Sequence, residues 1–203
     1  MKYKFISKLY TLLDIFYFNK PNTSPRNYII NLVPEGNIKL LEMCIGTGEN
    51  SILIAKNENN AEITGIDLSQ DMLKIAKEKI LKNNIHNINT FIMDATNINF
   101  PNNYFDIVLI SLVLHETNNT TRFQIINEAK RVLKPEGKII IIEWDKPNNF
   151  IKKFMFSFIK LSEPKGFNEF LNLDMKKYLK SFSLKIISES KCDYTKIIEV
   201  IKE

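Results

Sequence analysis

The sequence has few of the residues that mark disulfide-rich, metal-binding and membrane-spanning proteins. Its 203 residues include only two cysteines, Cys44 and Cys192, which are far apart and lie in no metal-ligand spacing such as C-x-x-C. No apolar run approaches the roughly 20 residues that a membrane span requires. The basic N-terminal stretch is interrupted by Asp14 and lacks a small-residue cleavage site, so it is a poor signal peptide. We therefore expect a cytoplasmic protein without a membrane span or a metal ion.

The charges are too evenly spread to name a partner. The chain has 28 Lys and Arg against 23 Asp and Glu, a net charge of +5, and no massed basic block or stripe of the kind that binds nucleic acid. With 44% hydrophobic and 25% charged residues, the composition is typical of one globular domain with a sizeable core.

Short aliphatic runs alternate with amphipathic helical stretches over most of the chain. Runs of the length and composition of buried parallel strands span residues 38–43, 61–67, 88–93, 105–111 and 138–144. Ser69 can cap a helix after the second run, and another helix is predicted over 120–133, before a "KPEG" turn.

After residue 145 the pattern changes. We predict helices over 148–161 and 174–182, then antiparallel strands over 184–190 and 194–202. The predicted fold class is α/β, Rossmann-like and doubly wound: a seven-stranded, mostly parallel sheet with helices on both faces and an antiparallel C-terminal strand pair.

Polar and small residues stand where the first three predicted strands end. Gly46 and Gly48 follow the first strand, Asp67 ends the second, and Asp94 ends the third with Ala95 after it. Ligands of doubly wound sheets bind at these carboxyl ends, where glycine lets the backbone approach and a carboxylate can accept from ribose hydroxyls. Each residue alone also fits a tight turn or a helix cap, but the set indicates a nucleoside site.

A dinucleotide-binding dehydrogenase is the first alternative. Its G-x-G-x-x-G fingerprint would align with Gly46, Gly48 and Ser51, so the third glycine is missing. That fingerprint also requires neither Glu42 before the loop nor an acid after the third strand.

Four segments resemble the class I S-adenosylmethionine-dependent methyltransferases, over roughly residues 38–145. They are "LLEMCIGTGEN", "ITGIDLSQDML", "MDATNINFPNNYFDIVLIS" and "AKRVLKPEGKIIIIEW". The resemblance is strongest to the ubiquinone and menaquinone biosynthesis enzymes and their small-molecule relatives. It implies one methyltransferase domain over 1–203, with an N-terminal helical cap at 1–37, a cofactor-binding core at 38–145, and an acceptor-side lid helix and C-terminal strands at 146–203.

The resemblance also implies roles for individual residues in binding S-adenosylmethionine. Glu42 would help to position the methionine amino group, Asp67 would hold the ribose hydroxyls, and Asp94 would accept from the adenine amino group. The full implied cofactor-binding set is Glu42, Cys44, Gly46, Thr47, Gly48, Asp67, Leu68, Met72, Asp94, Ala95 and Ser111. Cys44 departs from the family pattern, because it replaces the usual first glycine.

The acceptor is expected to be small and apolar or aromatic, like a quinone precursor. His115, beyond the fourth strand, is the candidate general base; alternatively it caps the next helix or shapes the pocket wall. The segments 5–18 and 150–161 resemble lids, and the apolar face of Phe150, Phe154 and Phe158 either packs on the core, lines the acceptor pocket or contacts a membrane surface.

Two other functions stay open from the sequence. A nucleic-acid methyltransferase is disfavoured because strand four leads into "ISLVLHE", which lacks the Asn-Pro-Pro-aromatic tetrad of amino-methylating enzymes. The second open function is a module that binds S-adenosylmethionine without catalysis, because the sequence offers no unambiguous base.

Overall fold

The structure, a computed structural model, describes residues 24–147, 149–164 and 166–203, and a seven-stranded sheet lies at its centre. The strand order is β3-β2-β1-β4-β5-β7-β6, with every pair parallel except β5 with β7 and β7 with β6. The strands are β1 (Lys39–Met43), β2 (Glu62–Asp67), β3 (Ile88–Ile92), β4 (Phe105–Ser111), β5 (Leu133–Trp144), β6 (Leu184–Cys192) and β7 (Thr195–Lys202). The predicted fold class is therefore confirmed.

The helices lie on both faces of the sheet. They are α1 (Pro25–Ile30), α2 (Glu49–Asn57), α3 (Gln70–Lys82), α4 (Asn119–Val132), α5 (Phe150–Ser162), α6 (Phe167–Leu171) and α7 (Met175–Lys180), with a 3-10 turn at Leu114–Glu116. The Ser69 hydroxyl accepts a hydrogen bond from Met72 N at 3.3 Å, which confirms its predicted cap.

Alternate side chains of the central strands enter two separate cores. Leu41 and Val108 pack in one core with α4 and α7, whereas Leu40 and Ile107 pack in the other with α1, α2 and α3. Burial on both faces explains why β1 and β4 are almost continuously aliphatic.

The predicted turn at "KPEG" is wrong, because β5 already begins at Leu133. Leu133 pairs with Phe105, and the register then shifts before Lys138 pairs with Ile107. A side chain on Gly137 would lie 2.7 Å from the Asp106 carbonyl oxygen. This glycine therefore serves the close approach of two strands rather than a turn.

Part of the expected N-terminal cap lies outside the described residues, including all of segment 5–18. Within the remainder, Ser24 caps α1 by accepting from Arg26 N at 3.2 Å. In the part of the chain that the structure describes, no helix combines the length and apolar character needed to cross a bilayer.

Candidate functional site

The loop between β1 and α2 has an unusual backbone. Cys44, Gly46 and Gly48 have φ angles of 57°, 56° and 82°. Ile45 turns inwards and packs on Gly65 of β2, where any side chain would overlap it. On the outer side, a Cβ built at Gly46 would meet no atom within 4 Å. The loop thus presents bare backbone to open space, as a closely approaching ligand requires.

Asp67 ties this loop to the start of α3. Its Oδ2 accepts from Gly46 N at 2.9 Å, and its Oδ1 accepts from Ser69 N at 2.8 Å. Each carboxylate oxygen can accept a second hydrogen bond, so both retain the capacity to bind hydroxyl groups. Because Asp67 is only half-buried, a ligand can reach it.

Glu42 is buried at the end of β1 and holds the first turn of α2. Its carboxylate accepts from Asn50 Nδ2 at 2.8 Å, from Ser51 N at 3.1 Å and from the Ser51 hydroxyl. Burial raises the pKa of Glu42 to about 7, against the lowering effect of these hydrogen bonds. The contacts to Asn50 and Ser51 were not foreseen from sequence, since nothing in either residue marks it as a carboxylate partner.

Cys44 lies within electrostatic reach of the predicted acids. Burial, together with the negative charges of Asp67, Glu116, Asp94 and Glu42, raises the pKa of its thiol to about 12. A thiol this hard to ionise is a poor nucleophile at neutral pH. The structure therefore brings the three acids predicted at the strand ends, together with Glu116, towards one point at the carboxyl edge of the sheet.

The other predicted cofactor residues surround this edge at different depths. Asp94 is exposed, and its Oδ1 accepts from both the backbone and the hydroxyl of Thr96 at 2.8 Å. Leu68 is 66% exposed, whereas Ala95 is buried in the core. The half-buried residues of the set are Thr47, Met72 and Ser111.

His115 is 3% exposed and lies between two carboxylates. Its Nδ1 is 2.6 Å from Glu143 Oε2, and its Nε2 is 3.3 Å from Glu163 Oε2. Burial lowers the pKa of His115, but the charges of Glu143 and Glu163 and their hydrogen bonds outweigh it and raise the pKa to about 10. Asn118, not His115, caps α4 by accepting from Thr121 N at 2.9 Å.

Aromatic rings enclose the histidine. The ring centroids of Phe167, Phe170 and Trp144 lie 5.5, 6.2 and 6.3 Å from that of His115. The short helix α6, which carries both phenylalanines, was not predicted. Glu163 was also missed, because it follows α5 in a loop and no local motif marks it.

The aromatic face of α5 points to solvent and does not pack on the core. Phe150, Phe154 and Phe158 are 86%, 64% and 57% exposed, while Phe156 and Ile159 are buried. The core-packing interpretation is therefore wrong for these three side chains. The four-residue spacing does define one helix face, but the helix packs on the domain through its other apolar side, which carries Phe156 and Ile159.

The residues at the carboxyl edge fit an adenosyl group joined to an amino acid. Asp67 offers acceptors for ribose, the open side of Gly46 admits a ligand, and Leu68 offers an uncovered apolar surface for a base. The concentrated negative charge suits a sulfonium and an ammonium group.

Comparison with known proteins gives a family match and sequence relatives. A family described as "Methyltransferase domain" matches residues 40–137. The demethylmenaquinone methyltransferase of Listeria monocytogenes serotype 4a (strain HCC23) is 36% identical over 110 residues, 54% of this chain and 46% of that protein. That of Lactobacillus johnsonii is 35% identical over 156 residues, 74% of this chain and 62% of that protein. The chain thus spans about half the length of the first relative and under two thirds of the second.

Solved structures of low sequence identity share the fold. A SAM-dependent methyltransferase from Aquifex aeolicus superposes with a TM-score of 0.72 at 18% identity, covering 96% of each chain. The [4+2]-cyclase SpnF superposes with a TM-score of 0.68 at 18% identity, covering 92% of this chain and 86% of that one. Because one neighbour is named a cyclase, this likeness establishes the fold alone. The domain match over residues 40–137, the sequence relatives and the shared fold together show that the chain contains a methyltransferase domain with the fold of the S-adenosylmethionine-dependent methyltransferases.

Proposed function

We propose that this chain transfers a methyl group from S-adenosylmethionine to a small, apolar or aromatic acceptor of the quinone-precursor type. The observation that carries the proposal is the position of Asp67, whose two oxygens link Gly46 of the glycine loop to Ser69 at the start of α3. A nucleoside site is thereby formed before any ligand arrives, at the edge where doubly wound sheets bind ligands.

Each cofactor contact follows from the position of a side chain. Asp67 accepts from the ribose hydroxyls, and Asp94 accepts from the adenine amino group through its Oδ2, since its hydrogen bonds to Thr96 both use Oδ1. Leu68 and Met72 cover the base. Glu42 acts on the methionine end indirectly, because its carboxylate is buried and holds the first turn of α2.

When bound, the cofactor supplies an activated methyl group. Transfer breaks the sulfur–carbon bond, joins that carbon to the acceptor, and releases the acceptor's proton to a base or to water. The protein's main contribution is orientation, which can supply roughly 7 to 11 kcal/mol of the barrier. His115 stays the predicted base, with the condition that Nε2, which is protonated at neutral pH because the pKa is raised to about 10, first loses its proton and its contact with Glu163.

The acceptor class rests on the relatives and on the surroundings of His115. Both relatives are named demethylmenaquinone methyltransferases. The rings of Trp144, Phe156 and Phe167 form a separate apolar cluster next to β5. Aromatic surroundings of this kind suit a flat aromatic acceptor better than a phosphate-rich polymer.

The exposed aromatic face of α5 fits the cytoplasmic surface of an anionic membrane, from which an apolar acceptor can be taken up. Phe154 and Phe158 contact each other edge to face at 5.3 Å, and Lys153 lies exposed on the same helix. Aromatic residues flanked by lysines are typical of helices that lie in the interface of anionic lipids.

Vesicle flotation tests this membrane contact. A Phe154→Ser, Phe158→Ser double variant should bind phosphatidylglycerol vesicles at least about tenfold more weakly than the native chain. Ile187→Ser, which changes a 51% exposed residue on β6, is the matched control and should bind like the native chain. Equal binding of all three proteins would contradict the contact.

Calorimetry tests the cofactor site first. S-adenosylmethionine and its demethylated product should both bind the full chain with dissociation constants below millimolar. Failure of both to bind would end the enzyme proposal, and binding without turnover on any acceptor would leave a non-catalytic binding module.

Labelled methyl transfer then tests the acceptor class. The chain is incubated with methyl-labelled cofactor and either reduced prenylated naphthoquinones or total RNA. We expect label in the quinone fraction, and label confined to RNA would replace the small-molecule proposal with a nucleic-acid one.

A further inference from the structure

The side of His115 that faces away from Glu143 meets two carboxylates. His115 Nε2 lies 3.3 Å from Glu163 Oε2 and 3.9 Å from Glu116 Oε1. All three atoms are within 4.8 Å of one another. An ion bound to each at about 2.1 Å in tetrahedral geometry would place them about 3.4 Å apart. The three groups therefore need to move little to share one cation.

The opposite side of His115 has the support that metal-binding histidines usually have. Glu143 is fully buried, accepts from Val113 N at 3.0 Å and Leu114 N at 2.7 Å, and accepts a hydrogen bond from the Nδ1–H group of His115. A ligating histidine almost always donates its other ring nitrogen to a carboxylate or carbonyl, which fixes the tautomer and directs Nε2 to the metal.

We propose that His115, Glu116 and Glu163 form a binding site for a divalent transition-metal ion, with Zn²⁺ and Mn²⁺ as the chemically matched candidates. One imidazole and two carboxylates suit these ions, and three protein ligands leave at least one coordination position for water or another ligand. Glu116 and Glu163 are far apart in sequence, so spacing alone gave no sign of the site.

The three ligands differ in solvent exposure, which gives an ion a path into the site. The His115 side chain is 2% exposed, that of Glu163 is 11% exposed and that of Glu116 is 41% exposed. An ion can thus meet Glu116 at the surface and exchange its waters for the two deeper ligands. The rings of Phe167 and Phe170 on α6 limit the access of water from the far side.

Binding would exchange a proton for the ion. Without metal, Nε2 carries a proton shared with Glu163; with metal, the Nε2 lone pair coordinates the ion and that proton goes to the buffer. The alternative is that these residues form only an ion pair, which holds the loop after α5 against the 3-10 turn. Such an ion pair would bind no metal, so a direct measurement of metal binding distinguishes it from the proposed site.

Cobalt titration of the untagged, chelator-treated full chain provides that measurement. We expect one Co²⁺ per chain, detected by its visible d–d absorption, with Zn²⁺ displacing it, Mn²⁺ competing only in excess, and calorimetry detecting proton release. His115→Ala and Glu163→Gln should each weaken binding at least tenfold, and Glu143→Gln should weaken it about 10- to 100-fold. Glu169→Gln, on the nearby α6, is the control and should bind like the native chain.

Failure to bind any of the three ions at 1 mM would overturn the proposal, as would unchanged affinity in both His115→Ala and Glu163→Gln. Circular dichroism verifies that each variant is folded, and Glu163→Gln keeps the test decisive if His115→Ala does not fold. Because the readout requires neither cofactor nor methyl transfer, metal binding and methyl transfer can fail independently; only the base role of His115 is excluded while an ion occupies Nε2.

Discussion

The buried carboxylate of Glu42 should make the stability of the ligand-free protein depend on pH. Glu42 is 2% exposed, and its pKa is raised from 4.5 to about 7, mainly by burial. A raised pKa means that the folded state favours the protonated form. The free energy of unfolding should therefore fall as pH rises from about 4.5 through about 7 and become level above that.

The size of the effect follows from the pKa difference between the unfolded and folded states. Between pH 5 and pH 8.5, a shift from 4.5 to about 7 removes about 2.5 kcal/mol from the free energy of unfolding. Other titrating groups change the same curve, so the measurement must isolate this carboxyl group.

Glu42→Gln isolates it, because glutamine does not titrate and can keep the hydrogen bonds. The new side-chain oxygen accepts from the backbone and hydroxyl of Ser51, and the new amide donates to the Asn50 oxygen once that amide rotates by half a turn. The variant should thus fold with the same contacts and without the cost of a buried charge.

Urea unfolding of both proteins in chelator, at pH 5 and pH 8.5, gives the required difference. The advantage of Glu42→Gln over the native chain should be about 2.5 kcal/mol larger at pH 8.5 than at pH 5, with the same urea slope at each pH. An advantage that is constant within about 0.5 kcal/mol, or that shrinks as pH rises, would refute the reasoning.

Three further changes test the loop and the nucleoside site. Asp67→Ala should weaken cofactor binding by roughly 1 to 3 kcal/mol in calorimetry, whereas Asp71→Ala, on the exposed first turn of α3, should leave it unchanged. Cys44 has a φ of 57°, which glycine adopts without strain and valine does not. Cys44→Gly should therefore leave thermal stability equal or about 1 kcal/mol higher, whereas Cys44→Val should lower it by more than 1 kcal/mol. The reverse order of stability would contradict this backbone argument. Gly65→Ala should cost about 1 to 3 kcal/mol in urea unfolding because Ile45 occupies the space, and no loss would show that this contact is loose.

The fold could be predicted because it depends on local patterns. Five aliphatic runs, a serine cap and two late strands were sufficient for the fold class, since parallel strands joined by helices allow few topologies. The error at "KPEG" has a local cause as well. Proline followed by glycine usually marks a turn, but here Gly137 gives space to the backbone of the neighbouring strand, a contact that only the folded structure reveals.

The site was predictable only where it follows strand ends. Glu42, Asp67 and Asp94 could be placed at one edge because parallel strands end together. Glu163 could not be placed there, since its contact with His115 depends on how the segment after α5 packs against the end of β4. No sequence periodicity encodes that packing. The orientation of α5 failed for a related reason, because that helix is apolar on more than one side.

The concentration of negative charge at the carboxyl edge links the two proposals physically. Glu42, Asp67, Asp94 and Glu116 all act on the Cys44 thiol, which indicates a negative potential at this edge of the sheet. A negative potential favours the binding of a positively charged group. In the two proposals, the sulfonium with its ammonium group lies near Asp67 and a divalent ion lies between Glu116 and Glu163.

We therefore expect S-adenosylmethionine to bind more tightly than its product, which lacks the sulfonium charge, and this difference in affinity to grow as ionic strength is lowered. Calorimetry at two salt concentrations measures this, and identical salt dependence for both ligands would show that the acids do not act through charge.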